Sequence, residues 1–223
     1  MGLTTDLKLT FRATLALSDD PTRRAYEAFA RAQYMLWYRA KLKSFLPWLL
    51  GLHLEENDGC LVGMAGCRPA SEDTLFLECY LEAPIEKALT QAGYPSTRNQ
   101  IAEIGNLCGA QAGAPRLLIA MISSFLKAGG FEWAVFTATR SLRNTFRRLG
   151  APMVELQDAD PDKVPGSAGG WGSYYSTDPI ICAVSVPAME AMLNRYAAST
   201  MLSTLRESAG LCAQSVVKGG YHA

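Results

Sequence analysis

Apolar and polar positions along the chain fall into blocks that predict strands and helices in turn. Strand-like blocks occupy 7–17, 48–55, 60–68, 101–107, 132–139, 153–156 and 180–186. Helix-like blocks occupy about 21–41, 84–91, 115–128, 141–150 and 187–198, several with apolar residues at i, i+3, i+4. Asn57-Asp58-Gly59 predicts a hairpin turn, whereas 75–81 fits either a strand or the lead-in to a helix.

This order of elements favours one α/β domain over residues 1–198, because helices and strands alternate without a linker or a repeat. Residues 199–223 are expected to form a tail that is partly helical or frayed. Their pattern is mildly amphipathic and then ends in KGGYHA.

The central unit runs from Asn99 to Gly130 and predicts a strand, a glycine turn and a helix. Gly109 and Gly113 allow the backbone to turn sharply, and Pro115 suits the first turn of a helix. A helix that begins behind such a turn offers free N–H groups and a positive dipole end to a phosphate. An ordinary strand-to-helix connection is the alternative.

Composition narrows the function classes. The 223 residues carry 21 basic and 21 acidic side chains, so no net charge draws the chain to nucleic acid. A secretory signal and a membrane-length apolar run are both missing from the pattern, which favours a cytoplasmic protein without stable membrane insertion. The six cysteines form no C-x-x-C pair and no cysteine pair has a histidine nearby, so no metal site is expected.

The glycine turn resembles the donor-binding turn of the GNAT acyltransferase superfamily. That family carries R/Q-x-x-G-x-G/A at a strand-to-helix turn, and Gln111–Arg116 is similar but one residue shorter between Gln111 and Gly113. The resemblance implies a GNAT-like fold, with a mixed central sheet and helices on both faces. Phe146 stands where many such enzymes carry a tyrosine that protonates the leaving thiolate, so the general acid would lie elsewhere or be water.

Four stretches resemble the thermostable haemolysin family more specifically. They are LFLECYLEAPIE (75–86), EIGNL (103–107), WAVFTATRSLRNTFRRLG (133–150) and WGSYY (171–175). This resemblance spans roughly Tyr26 to Val186 and implies red-cell lysis, though no mechanism. The acyl-homoserine-lactone synthases are a remoter likeness, and they place a glutamate in the corresponding central strand.

Four residues are candidates for catalysis. Glu103 lies among apolar strand residues, where burial raises a carboxyl pKa and suits it as a general base; a surface position or an arginine partner is the alternative. Glu78 shares a face with Glu82 beside Tyr80, so these carboxylates could receive an amine or lie on a solvated face. Asn106 could bond the substrate or end the strand, and Tyr175 could supply the missing acid.

The binding candidates form two groups. The acyl donor, an acyl-CoA or an acyl-phosphopantetheine, is expected at Leu107, Gly109, Gln111, Gly113, Ala114, Arg116 and Asn144. The acceptor is expected at Tyr80, Trp171 and Tyr174, which could equally pack over a sheet edge. Arg143, Arg147 and Arg148 form a basic helix face that suits a phosphate, an acidic carrier protein or solvent.

Two functions follow. The first is transfer of an acyl group from acyl-CoA or acyl carrier protein to a small-molecule amine, with no permanently bound cofactor. The second is a membrane-active haemolysin, for which 188–207 is the best amphipathic segment. A fold that has lost chemistry and binds a partner is a third alternative, and a homodimer is left open.

Overall fold

The computed structural model describes residues 9–111, 113–164, 170–195 and 200–218. Its strands are β1 (Phe11–Ala16), β2 (Trp48–Leu54), β3 (Cys60–Pro69), β4 (Ile101–Gly109), β5 (Trp133–Ala138), β6 (Met153–Asp158) and β7 (Ile180–Ser185). Its helices are α1 (Arg23–Tyr38), α2 (Glu56–Gly59), α3 (Ile85–Gln91), α4 (Ala114–Ala128), α5 (Arg140–Leu149), α6 (Val186–Asn194) and α7 (Thr200–Lys218).

In this part of the chain the strands form one mixed sheet in the order β1-β2-β3-β4-β5-β7-β6. β4 and β5 are parallel, and every other neighbouring pair is antiparallel. The mixed sheet predicted from the sequence is therefore confirmed. The predicted hairpin of β2 and β3 is also confirmed, although α2 makes its turn; the undecided segment 75–81 holds a 3₁₀ turn, Phe76–Cys79.

Helices cover both faces of the sheet. One face packs against α4, α6 and α7, and its core includes Phe125 and Leu118. The other face packs against α1, α3 and the 3₁₀ turn, with Tyr26, Leu77 and Leu89 buried there. Alternate residues of β4 serve the two faces: Ala102 and Ile104 face α4, whereas Ile101 and Glu103 face the 3₁₀ turn.

The C-terminal segment contributes helix α7 to the core. Leu205, Ala209, Ala213 and Val216 are buried against α4 and β1. Ser208 Oγ accepts a 2.9 Å hydrogen bond from the N–H of Ala13, and so helps to fix the helix to β1. Residues 219–223 lie outside the described part of the chain.

β4 contains a bulge that opens the sheet. Gly105 pairs with Gly66 and Cys108 pairs with Met64, so two residues of β4 lie between these pairs where β3 has one. Asn106 lies at this point with φ of 50°, a left-handed conformation that asparagine tolerates better than most residues. The pairing of β4 with β5 stops at Ile104 and Phe136, and beyond it the two strands separate.

Candidate active site

Glu103 lies on β4 next to the opening, and it is 3% exposed. Its Oε1 accepts a 2.9 Å hydrogen bond from the N–H of Leu77, and its Oε2 accepts one of the same length from Phe76. Burial raises the pKa of the Glu103 carboxyl, and these hydrogen bonds together with the charge of Arg68 offset only part of that rise. A buried carboxyl with a raised pKa is suited to accept a proton near neutral pH.

A cleft of about 320 Å³, here called the Glu103 cleft, opens beside this carboxyl. Its polar and charged lining comprises Glu103, Arg68, Ser44, Thr74, Asn106 and Thr137, and its aromatic lining comprises Tyr34, Phe45, Phe76, Tyr80, Phe136, Trp171 and Tyr174. An aromatic cavity with a few convergent polar groups is the usual form of a small-molecule site.

Asn106 holds in place the segment 42–46, here called the roof, which lines the Glu103 cleft. Its Oδ1 accepts a 3.0 Å hydrogen bond from the N–H of Leu46, and its Nδ2 donates to the carbonyl of Ser44 at 3.3 Å. Gly66 and Gly105 leave room for this segment, because a Cβ on either would lie within 3.0 Å of Leu46. The amide proposed from the sequence as a substrate ligand is thus engaged with the roof.

A larger cleft of about 970 Å³, here called the α4 cleft, lies at the start of helix α4. Five of the seven predicted donor residues line it: Leu107, Gly109, Gln111, Gly113 and Asn144. The other two are placed beside it, since Ala114 is buried against Gly109 and Arg116 is exposed on the first turn of α4.

Two backbone N–H groups in the first turn of α4 already have hydrogen-bond partners. The N–H of Ala114 bonds to the carbonyl of Gln111, and the N–H of Arg116 bonds to that of Gly113. Pro115 has no N–H, so an anion here would depend on the N–H of Gly113, the helix dipole and nearby cations. On the opposite wall α5 supplies Arg140 and Arg148; Arg140 pairs with Asp178, and Arg148 has no ion pair within the described residues.

The two clefts meet a third cavity where β4 and β5 separate. This apolar pocket lies between the sheet and helices α4, α5 and α6, and its lining includes Ile104, Ile122, Ala134, Phe146 and Met189. Leu107 and Leu142 line all three cavities. A carboxylate site, a large open cleft and an apolar pocket therefore meet at Leu107 and Leu142.

Glu78 and Glu82 lie away from this point. Glu78 accepts hydrogen bonds from Arg98 at 2.6 Å and from the N–H groups of Leu75 and Ile85 at 2.8 Å each. Burial opposes its ionisation, but these bonds hold the pKa of Glu78 below its ordinary value. Glu82 is exposed and pairs with Lys163, and both glutamates line a separate depression on the outer surface.

Three of the four aromatic residues predicted from the sequence line the Glu103 cleft, and the fourth lies behind them. Trp171 and Tyr174 line the Glu103 cleft, as does Tyr80. Tyr175 belongs to none of the cavities described above, and its hydroxyl lies 2.7 Å from that of Tyr80. It also makes ring contacts with Trp171 and Tyr174, so it lies behind the aromatic wall of the cleft rather than in the lining.

Three further residues, Phe146, Cys108 and His53, bear on the choice of chemistry. Phe146 stacks on Phe136 at 5.2 Å between ring centroids and lines the apolar pocket. Burial raises the pKa of the Cys108 thiol to about 12, which opposes a nucleophilic thiolate. His53 is bonded to the carbonyl of Gly59 and to Tyr26, so no cysteine–histidine pair forms within the described residues.

The family model described as thermostable hemolysin matches residues 16–189. The chain belongs to the thermostable hemolysin family. Among proteins with curated descriptions, none is significantly similar to this member in sequence. Its described residues include no helix long and apolar enough to cross a membrane.

Solved structures identify the fold of this thermostable hemolysin family member. FeeM, an N-acyl amino acid synthase from uncultured soil microbes, has a TM-score of 0.56 at 14% identity, covering 86% of this chain and 99% of FeeM. The acyl-homoserine lactone synthase LasI has 0.53 at 8%, covering 80% and 91%. MesI, a CoA-dependent acyl-homoserine lactone synthase, has 0.52 at 17%, covering 83% and 95%. The GNAT-like fold predicted from the sequence is confirmed.

Sequence reasoning missed several residues of the site. Arg68 ends the strand-like run CLVGMAGCR and is its one charged residue, which is the signal that could have identified it. Leu142 and the roof segment 42–46 gave no such signal, because their position depends on the bulge at Asn106 and on the separation of β4 from β5.

Proposed function

We propose that this protein transfers an acyl group from a thioester to the amine of a small molecule. The thioester would belong to coenzyme A or to the phosphopantetheine of an acyl carrier protein, and it would be a co-substrate rather than a resident cofactor. The observation that carries the proposal is the meeting of three cavities at Leu107 and Leu142, beside a buried carboxylate.

Each cavity suits one part of such a reaction. The α4 cleft has the volume and the cationic side chains for a phosphorylated carrier. The apolar pocket has the lining for an alkyl chain. The Glu103 cleft holds the base and has room for an amine acceptor. A thioester carbon at the meeting point would thus face the amine on one side and the thiol carrier on the other.

The proposed reaction is direct attack without an acyl-enzyme. Glu103 takes one proton from the ammonium group, and the free amine nitrogen attacks the thioester carbon. Backbone N–H groups between Gly105 and Leu107, on the β4 edge that no longer pairs with β5, polarise the carbonyl oxygen. The nitrogen–carbon bond forms, the carbon–sulfur bond breaks, and the second nitrogen proton reaches the departing thiolate through water.

The structural neighbours support this assignment by analogy of fold. FeeM is an N-acyl amino acid synthase, and MesI is a CoA-dependent acyl-homoserine lactone synthase. Because these neighbours share little sequence identity with this chain, the donor and acceptor proposed for it depend on the residues of its own cavities.

Donor binding is tested first, by the thermal midpoint of the purified protein. Coenzyme A, acyl-CoA of increasing chain length and acyl carrier protein with and without its acyl group serve as ligands. A ligand at 100 times its dissociation constant stabilises a fold by about 2.7 kcal/mol, a shift that is readily measured. We expect a shift with one class of thioester; no shift with any of them would contradict the donor site.

The family name favours a second candidate, direct lysis of membranes by the protein. Leakage of dye from phospholipid vesicles with purified protein alone would support it. Under the acyltransferase proposal, leakage needs donor and amine together, because a long-chain N-acyl product is a surfactant. The same vesicles with and without thioester therefore separate the two candidates.

A further inference from the structure

The Glu103 cleft contains two opposite charges that do not neutralise each other. Arg68 and Glu103 are the charged residues among its described lining, and they lie directly opposite in the antiparallel ladder of β3 and β4. Directly opposed residues project to the same face of a sheet, with Cβ atoms about 5 Å apart. In the described part of the chain they make no ion pair with each other, and each is held by other groups.

The guanidinium of Arg68 keeps donors available. Its Nη1 donates to the carbonyl of Thr74 at 3.2 Å, and it lies 3.7 Å from the exposed carboxylate of Asp73. Its other guanidinium nitrogens have no hydrogen-bond partner within the described residues, and the side chain is 25% exposed. An arginine whose position is fixed at one nitrogen while the others are unengaged is well suited to bind a carboxylate.

The position of the two charges on neighbouring strands suits a particular kind of acceptor. An amine beside Glu103 can direct a substituent of its carbon toward the neighbouring strand, where Arg68 lies. An α-amino acid carries a carboxylate on that carbon, so its two charges match the cleft. A simple amine would leave the guanidinium without this partner.

The remaining walls of the cleft indicate the side chain of this acceptor. Phe45, Phe76, Trp171 and Tyr174 surround a volume of about 320 Å³, and Phe76 lies 6.2 Å from Trp171 between ring centroids. Aromatic walls favour a large apolar or aromatic group through burial and ring contacts.

We infer that the acceptor is an α-amino acid with a large apolar or aromatic side chain, bound through its carboxylate to Arg68 and through its amine beside Glu103. The inference rests on the proposed acyl transfer and assigns its acceptor.

The test compares three acceptors of one shape with a thioester donor that shifts the thermal midpoint. They are L-phenylalanine, its amide and phenethylamine, which share a side chain and differ in the carboxylate. The rate of thiol release gives kcat/KM for each acceptor, and mass spectrometry identifies the amide product. Arg68→Gln is the variant, and Arg12→Gln, on an exposed arginine of β1, is its control.

The wild type and Arg12→Gln are expected to prefer L-phenylalanine over both analogues by about 10- to 100-fold, the worth of a charged hydrogen-bond pair. In Arg68→Gln the preference is expected to disappear, because kcat/KM for L-phenylalanine falls by a larger factor than kcat/KM for phenethylamine. Arg68→Lys, which keeps the charge, is expected to retain part of the preference.

Two results would overturn the inference while leaving the proposed function intact. One is wild-type turnover of phenethylamine as efficient as that of L-phenylalanine, and the other is an equal fall for all three acceptors in Arg68→Gln. Absence of transfer to any amine, from donors that bind, would overturn the proposed function and the acceptor assignment together.

Discussion

The backbone N–H of Leu77 donates a 2.9 Å hydrogen bond to Oε1 of Glu103, so the 3₁₀ turn Phe76–Cys79 and the central strand β4 share one buried carboxylate. Phe76 makes the equivalent bond to Oε2. These two bonds fix the orientation of the carboxylate, which has no ion-pair partner among the described residues. Burial therefore has the largest effect on the pKa of Glu103 and raises it, while the carboxylate still lines the Glu103 cleft.

The raised pKa of Glu103 predicts a pH dependence of activity. The base is active only when ionised, so the rate of acyl transfer should fall as pH drops through a value above the ordinary 4.5 of a glutamate. The measurement is kcat/KM for the amine between about pH 4 and pH 9, corrected for ionisation of the amine itself. A flat corrected profile down to the ordinary glutamate pKa would argue against Glu103 as the base.

The same pKa predicts a stability effect of defined sign. Because the folded protein holds the Glu103 proton more tightly than the unfolded chain, the unfolded chain loses it first as pH rises. The free energy of unfolding of the wild type, relative to Glu103→Gln, should therefore decrease as pH rises above about 4.5 and level off above the folded pKa. Urea titrations of both proteins at several pH values measure this difference. A relative stability that rises with pH would contradict the direction of the shift.

A pair of glycine-to-alanine substitutions separates donor binding from stability. A Cβ on Gly109 would lie 2.7 Å from Cβ of Ala114, so Gly109→Ala must displace the start of α4 and should weaken the thermal shift given by the donor. In helix α7, a Cβ on Gly210 would meet Ala128 at 3.8 Å, an ordinary contact. Gly210→Ala should stabilise the fold by about 0.5–1 kcal/mol through helix propensity and leave donor binding unchanged. Equal donor shifts in both variants would place the donor elsewhere.

The apolar pocket predicts the chain length of the acyl group. Ala134 on β5 lines it, and Ala134→Ile adds bulk where an alkyl chain would lie. Each methylene that can no longer be buried costs about 0.8 kcal/mol, roughly fourfold in kcat/KM. The variant should therefore prefer a shorter acyl-CoA than the wild type in a series of chain lengths. An unchanged preference would exclude this pocket as the site of the chain.

The sequence contained enough to predict the order of elements and the candidate base. The alternation of apolar blocks marked the strands and helices, and Glu103 stood out as a charge within one of those blocks. The glycine turn between β4 and α4 was visible for the same reason, because glycine and proline punctuate the pattern. These features could be predicted because each depends mainly on residues that are neighbours in the sequence.

Contacts between residues distant in the sequence determined the parts of the site that the sequence did not predict. Glu78 resembled Glu103 in its apolar setting, yet Arg98, 20 residues along the chain, occupies its carboxylate. Arg68 entered the site only because the antiparallel register sets it opposite Glu103. The roof near Leu46 depends on a bulge at Asn106, a departure from regular pairing that hydrophobic periodicity does not encode.

The role of Glu103 is tested most directly by amide formation in Glu103→Gln. Glutamine keeps the shape of the side chain but cannot take a proton, and it can accept only one of the bonds from Phe76 and Leu77. Donor binding by thermal shift and the folded state by circular dichroism provide the controls, with a loss of about 1–3 kcal/mol in stability expected.

With a donor that binds both proteins, the account predicts that amide product detected by mass spectrometry forms about 10²- to 10⁴-fold more slowly in Glu103→Gln than in the wild type. Equal rates of amide formation in the two proteins would contradict it.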